Sequence, residues 1–117
     1  MHLGFDDALI EDNVFRNIDI PSSCRALFDF GAHGEGHLAR TTIRNNRIEN
    51  IGGVPDIAHV FRIHPVNQGG HTIRDNTLVD VGVPENGDWC LNGSATPSDI
   101  RDNTIDGALQ DPNPGCP

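Results

Sequence analysis

A loop with two histidines and a glutamate is the segment most suited to holding a metal ion. Its sequence is His33-Gly34-Glu35-Gly36-His37. In an extended chain alternate residues share a side, so His33, Glu35 and His37 can offer two imidazoles and a carboxylate to Zn²⁺ or a similar metal. The alternative is a solvated loop, since the two glycines leave its backbone free to move.

A second candidate is a cluster of polar residues on one face of three short apolar segments. The apolar members of these segments are Phe28, Phe30, Phe61, Ile63, Trp89 and Leu91. If they point into a core, alternation places Asp29, Arg62 and Cys90 on the outer face. His64 follows in the next outward column and Asp88 lies nearby, so Asp29, Arg62, His64 and Asp88 form a candidate catalytic cluster. An Arg or His beside carboxylates can act as a general base. The alternative is an exposed Asp29–Arg62 ion pair of little energetic value, with His64 a surface residue.

A column of charged residues is the third candidate. It would stack side chains from successive repeats, namely Glu11, Arg44, Arg74 and Arg101. One interpretation is an anion-binding stripe. The other is a solvated face, neutralised by the residue that follows each member, namely Asp12, Asn45, Asp75 and Asp102.

Four copies of one nine-residue pattern must position these groups. They cover residues 10–18, 43–51, 73–81 and 100–108, and their shared pattern is apolar, two polar, Asn, any, apolar, two polar, apolar. This spacing does not follow the 3.6-residue period of an amphipathic helix, and Asn and β-branched residues are weak helix formers. The pattern predicts short strands in coils that bury a continuous core by stacking.

The invariant asparagine of the pattern has a predicted structural role. Asn can adopt a left-handed backbone conformation at a corner between two strands, and stacked Asn amides can hydrogen-bond to one another. We therefore expect an asparagine ladder formed by Asn13, Asn46, Asn76 and Asn103.

These repeats resemble those of the pectate-lyase-like superfamily. The resemblance covers nearly all of residues 8–108 and implies an all-β fold, a right-handed parallel β-helix (solenoid) of about four coils. Residues 1–117 would be a single domain or segment, with a tail at 109–117 and without capping helices. The superfamily contains lyases, hydrolases, epimerases, phage tailspikes and surface proteins, so the resemblance implies a fold and not one activity.

In superfamily enzymes the active site usually lies on the outer face of one parallel sheet, which is where the Asp29 cluster is expected. The resemblance then implies a polysaccharide lyase that acts on uronate-containing glycans, with Ca²⁺ holding the substrate. None of the catalytic residues of the family can be carried over to this sequence. The resemblance also favours a secreted or cell-surface location, although the first residues lack the features of a signal peptide.

Charge and composition narrow the choice of partners. The net charge of −9 argues against nucleic acid and against unaided binding of an acidic polysaccharide, for which a cation such as Ca²⁺ would have to bridge like charges. Aromatic residues make up 5% of the chain, which disfavours a sugar-binding surface. No apolar run reaches the roughly 18 residues of a membrane span.

The expected function is therefore a structural or surface-recognition scaffold related to carbohydrate-active proteins. A polysaccharide lyase is the first alternative, and a metal- or glycan-binding module that uses the His33–His37 loop is the second. Uncapped coils expose unpaired strand edges, so we also expect self-association or contact with neighbouring coils of a longer chain.

Overall fold

A computed structural model of the protein describes residues 2–3, 7–20, 26–30, 40–53, 59–63, 70–81, 90–92 and 98–109. These residues are mostly β-strand and contain no helix, as the sequence predicts for an all-β fold. It follows that this part of the chain has no helix long and apolar enough to cross a membrane.

The described residues contain thirteen short strands. In chain order they are β1 His2–Leu3, β2 Leu9–Glu11, β3 Val14–Ile20, β4 Ala26–Phe30, β5 Thr42–Arg44, β6 Arg47–Gly53, β7 His59–Ile63, β8 Thr72–Arg74, β9 Thr77–Val81, β10 Cys90–Asn92, β11 Asp99–Arg101, β12 Thr104–Ile105 and β13 Ala108–Leu109.

The strands form three sheets that we call A, B and C. Their orders are β1-β4-β7-β10 in sheet A, β2-β5-β8-β11 in sheet B and β3-β6-β9-β12-β13 in sheet C. Each strand from β1 to β9 pairs in parallel with the strand three places further along the chain. The chain thus visits the three sheets in turn and then returns to the first. We call each passage a tier: β1–β3, β4–β6, β7–β9 and β10–β12.

The strand register follows the sequence repeat. Ile10, Ile43, Ile73 and Ile100 are opposite one another in sheet B. In the two middle tiers these positions are fully buried, because alternation directs every second side chain between the sheets. The buried apolar cluster comprises Leu27, Phe28, Phe30, Ile43, Ile48, Ile51, Val60, Phe61, Ile63, Ile73 and Leu78.

The corner of each repeat differs from the prediction by one residue. The left-handed residue is not the repeat Asn but the residue before it, namely Asp12, Asn45, Asp75 and Asp102, with φ between 54 and 58°. Asp and Asn tolerate this conformation better than most residues do. The repeat Asn follows the bend, and its amide is free to bond to the next tier.

The fourth repeat also departs from the pattern. Asp106 and Gly107 have φ of 49 and 84°, and two successive positive values are typical of a tight hairpin turn with Asp-Gly at its centre. The chain reverses there, and β13 pairs with β12 in the antiparallel direction. Ala108 therefore does not take the position that Ile18 and Ile51 hold in the earlier tiers.

The predicted alignment of the last strand in sheet A is wrong by one residue. Cys90 is opposite Phe61, Leu91 is opposite Arg62 and Asn92 is opposite Ile63. Alternation predicts Cys90 opposite Arg62 and Leu91 opposite Ile63. Side chains alternate with a period of two, so a shift of one residue exchanges the two faces of the strand.

Candidate functional site

The four repeat asparagines lie in one column that links the tiers. The backbone N–H and Nδ2 of Asn13 donate to Oδ1 of Asn46, with donor–acceptor distances of 3.0 and 3.2 Å. Asn46 bonds in the same way to Asn76, at 3.0 and 3.1 Å. Asn76 bonds to Asn103 at 3.1 and 2.9 Å. Between each pair of tiers, the backbone N–H and Nδ2 of one asparagine therefore donate to the same Oδ1 of the asparagine in the next tier.

In the second to fourth tiers, the Nδ2 of the asparagine also donates to a backbone carbonyl of the preceding tier. The acceptors of Asn46, Asn76 and Asn103 are the carbonyl oxygens of Ile10, Ile43 and Ile73, each at 3.0 Å. These three asparagines are at most 1% exposed. Their role is therefore to satisfy buried polar groups between tiers, since an unpaired one would be costly.

A second ladder, which the sequence analysis missed, passes through His71. The N–H of Thr41 donates to Nδ1 of His71 at 3.1 Å, and the N–H of His71 donates to Oγ of Ser98 at 3.1 Å. These residues precede β5, β8 and β11, two positions before the first Ile of each repeat. Extending the repeat alignment by two residues upstream would have placed Thr41, His71 and Ser98 in one column.

His71 is neutral in this position. Its ring is 1% exposed and packs against Phe30, with ring centroids 4.7 Å apart. Burial lowers the pKa of His71 to about 4, because a charged imidazolium loses its hydration inside the protein. Since Nδ1 accepts the bond from Thr41, the ring proton is assigned to Nε2.

The structure brings together two of the four residues proposed for catalysis. Arg62 donates from Nε to Oδ1 of Asp29 at 3.1 Å and from a terminal nitrogen to Oδ2 at 2.7 Å. The pair joins β4 and β7, where Asp29 is directly opposite Arg62. Asp29 and Arg62 thus lie side by side, as the alternation of side chains predicts.

The burial of Asp29 differs from the prediction. The Asp29 side chain is 5% exposed and that of Arg62 is 16% exposed, whereas the sequence analysis placed both on an exposed outer face. All five residues of β4 are buried, so both faces of this strand are covered. The Asp29 carboxylate is thus enclosed, and each of its oxygens accepts a bond from Arg62.

This pair does not fit a calcium site. Ca²⁺ takes six to eight oxygen ligands, and carboxylate oxygens are its preferred donors. Both oxygens of Asp29 already face the Arg62 guanidinium, and a cation there would have to displace it. Across the part of the chain that the structure describes, no three His, Cys, Asp or Glu side chains are grouped so as to hold a metal.

The remaining candidates for catalysis and metal binding lie outside the described residues. They are His64 and Asp88 of the catalytic cluster and His33, Glu35 and His37 of the loop.

The charged column of sheet B has the register that the repeat predicts, and its arginines lie close to acids. Glu11, Arg44, Arg74 and Arg101 are opposite one another. Nε of Arg44 lies 2.7 Å from Glu11, that of Arg74 lies 3.5 Å from Asp75 and that of Arg101 lies 3.0 Å from Asp99. The predicted partner, the residue that follows each arginine, is found for Arg74, whereas Arg44 and Arg101 pair with Glu11 and Asp99 instead. This pairing favours a neutralised, solvated face over an anion-binding stripe.

Among the described residues, the two hydrogen-bond ladders and the Asp29–Arg62 pair all connect one tier to the next. Both ladders and the Asp29–Arg62 pair join residues 27 to 33 positions apart in sequence. Comparison with known proteins found no match, whether to a family model, a curated protein or a solved structure.

Proposed function

We propose that the chain is a right-handed parallel β-helix that serves as a structural or surface-recognition scaffold related to carbohydrate-active proteins. Two observations support the solenoid: the parallel pairing of each strand from β1 to β9 with the third strand after it, and the asparagine column between tiers. The right-handed sense follows from the strong preference of parallel crossover connections for that hand.

The non-catalytic part of the proposal rests on one observation, which is that the Asp29 carboxylate is buried. A general acid or base must come within hydrogen-bonding distance of the proton that it transfers. Asp29 is 3% exposed, and both of its oxygens are bonded to Arg62. This arrangement suits a group that joins two strands and does not suit one that meets a polymer in solution.

A Ca²⁺-dependent polysaccharide lyase acting on uronate-containing glycans is the second candidate. The observation in its favour is that an arginine and an aspartate lie side by side on neighbouring parallel strands of sheet A. For this function the pair would have to open, since substrate must reach Arg62 and a cation must reach Asp29.

A depolymerisation screen separates the two candidates. The chain is incubated with pectate, alginate and glycosaminoglycans, with and without Ca²⁺, while circular dichroism checks the fold. Unsaturated products and new reducing ends are followed over time. The scaffold proposal expects no new ends on any substrate.

A matched pair of double variants identifies the site if ends do appear. Asp29→Asn/Arg62→Gln removes the charges of the enclosed pair. Asp7→Asn/Arg40→Gln removes those of an exposed pair that is also 33 residues apart and doubly hydrogen-bonded. Activity that is lost in the first variant and kept in the second would establish the lyase and overturn the scaffold proposal.

A further inference from the structure

We propose that the hairpin of β12 and β13 is a stop that closes the fourth-tier edge of sheet C against a further parallel strand. The strand that it excludes is one of the same repeat. Residues 104–109 form this stop by themselves, whatever residues precede or follow them. It limits the stack of tiers, which the scaffold role alone does not require.

β13 takes up the hydrogen-bonding groups that a further strand would need. The backbone N–H groups of Thr104 and Asp106 donate to backbone carbonyls of the third tier, at 3.0 and 2.9 Å. Successive N–H groups of a strand point to opposite sides, so that of Ile105 faces away from the third tier. On that side Ala108 lies opposite Ile105 in the antiparallel direction. A further parallel strand would have to displace it.

The turn of the hairpin replaces a corner at which the earlier tiers continue. Asn17, Asn50 and Asp80 each follow the repeat Asn by four residues and have φ of 56, 51 and 50°. In the fourth tier Gly107 has this position, and Asp106 before it is left-handed as well, with φ of 49°. One left-handed residue lets β3, β6 and β9 run on, whereas two in succession reverse the chain.

Asp106 also fixes the turn to the third tier. Its Oδ1 accepts a hydrogen bond from the N–H of Asp80 at 2.9 Å, and its own N–H donates to the carbonyl of Leu78 at 2.9 Å. One residue thus holds the turn through both its side chain and its backbone. The turn therefore stays joined to the stack although Asp106 and Gly107 are exposed.

Sheet C also narrows toward this edge. Its strands have seven residues in the first two tiers, five in the third and two in the fourth, and β13 has two. Very short edge strands are one means by which proteins keep a sheet from pairing with other strands. The direction of β13 is a second obstacle, because a tier of the same repeat would meet a strand that runs the opposite way.

Two residues distinguish the hairpin from a continuing tier, and exchanging them tests the stop directly. Asp106→Val/Gly107→Asp gives the fourth repeat the pair that the third repeat has at Val79 and Asp80, without changing the net charge. A β-branched valine disfavours left-handed backbone, so the turn should be lost. Gly107→Asn is the matched control, because Asn tolerates the left-handed conformation and should keep the turn.

The probe is a synthetic peptide of residues 70–81, which contains β8 and β9, added to the full chain labelled with ¹⁵N. Nuclear magnetic resonance follows the backbone amides of Thr104 and Ile105. These should not shift in the wild type or in Gly107→Asn at millimolar peptide. In the double variant they should shift, with an affinity at least about tenfold higher than that of the wild type.

A second variant opens the same edge without changing the turn residues. Ala108→Pro removes the N–H with which Ala108 can bond to Ile105, and it should also admit the peptide. Circular dichroism and the amide protection of Asn46 and Asn76 check that the tiers remain folded in both variants. Nuclear Overhauser contacts between Ile105 and Ala108 report whether the hairpin is open.

Three results would overturn the proposal. They are equal shifts on β12 in the wild type and the variants, no shifts in a folded variant whose hairpin is open, and a hairpin that persists in the double variant. None of these readouts depends on the depolymerisation screen, so either proposal can fail without the other.

Discussion

The backbone N–H of Thr41 donates to Nδ1 of His71 at 3.1 Å, which makes a titratable ring a link between the second and third tiers. In the asparagine column the corresponding acceptor is an amide oxygen, which stays an acceptor at every pH. Protonation of His71 converts its acceptor nitrogen into a donor that faces another donor. The two ladders therefore share a geometry and differ in their response to acid.

Acid should weaken the fold through His71. The folded pKa is about 4 and the ordinary value is 6.5, so between these values the unfolded chain binds a proton that the folded chain does not. The free energy of unfolding should be highest above about pH 6.5 and fall as the pH drops toward 4. The loss from this one group is at most about 3 kcal/mol.

Urea denaturation at pH 7 and pH 5 of the wild type and of His71→Gln checks this expectation. The variant should be less stable at pH 7, because its new side chain must replace a buried ring. Its stability should depend less on pH than that of the wild type over this interval. The same pH dependence in both proteins would show that His71 is not the responsible group.

Asparagine substitutions should separate the inner rungs of the ladder from its end. Asn46→Ala and Asn76→Ala each leave buried donors and acceptors unpaired, and we expect losses of about 1–3 kcal/mol in the free energy of unfolding. Asn13→Ala should cost less, because Asn13 is exposed and water can replace its bonds. Thermal melts of the three variants provide the comparison, and equal losses would contradict a directional ladder.

Alternation along the strands explains how far the sequence could predict this structure. It correctly placed Phe28 and Phe61 in the core and Asp29 beside Arg62, because a period of two and the repeat register together determine those contacts. It failed at Cys90, where the register depends on the path of the residues between β9 and β10, and no periodicity constrains them.

Two other features of the site could not be read from alternation. A pattern tells on which side of a strand Asp29 lies, but not whether another segment covers that side, and here the carboxylate is buried. His71 was missed for a different reason. Its column contains Thr41 and Ser98, so no residue type repeats. What His71 and Ser98 share is a side-chain acceptor that receives the backbone N–H of the tier before.

The two aspartate–arginine pairs should differ sharply in their contribution to stability. Arg62→Gln removes the guanidinium that bonds to both oxygens of the buried Asp29 carboxylate, and we expect a loss of about 3 kcal/mol in the free energy of unfolding. Arg40→Gln removes the matching partner of the exposed Asp7, where water and salt screen the charges, and should cause no measurable loss.

Double-mutant cycles measure the coupling within each pair directly. One cycle combines Asp29→Asn with Arg62→Gln, and the other combines Asp7→Asn with Arg40→Gln. The free energy of unfolding of every variant is measured by urea denaturation at low and high salt. Coupling free energies of similar size in the two cycles would show that the burial of Asp29 does not strengthen its interaction with Arg62.

The terminal hairpin offers a test of the turn that ends the fourth tier. Gly107 has φ of 84°, a region in which a Cβ atom is strained, so Gly107→Ala should lower the free energy of unfolding by about 1 kcal/mol. Gly52→Ala is the control. A Cβ there would lie 2.7 Å from Oδ1 of Asp19, but this side chain is exposed and can rotate away. Gly52→Ala should therefore lower the free energy of unfolding by less than Gly107→Ala does.

Amide exchange should locate the effect, with protection lost at β12 and β13 in Gly107→Ala only. A larger loss for Gly52→Ala than for Gly107→Ala would contradict a strained turn at the end of sheet C.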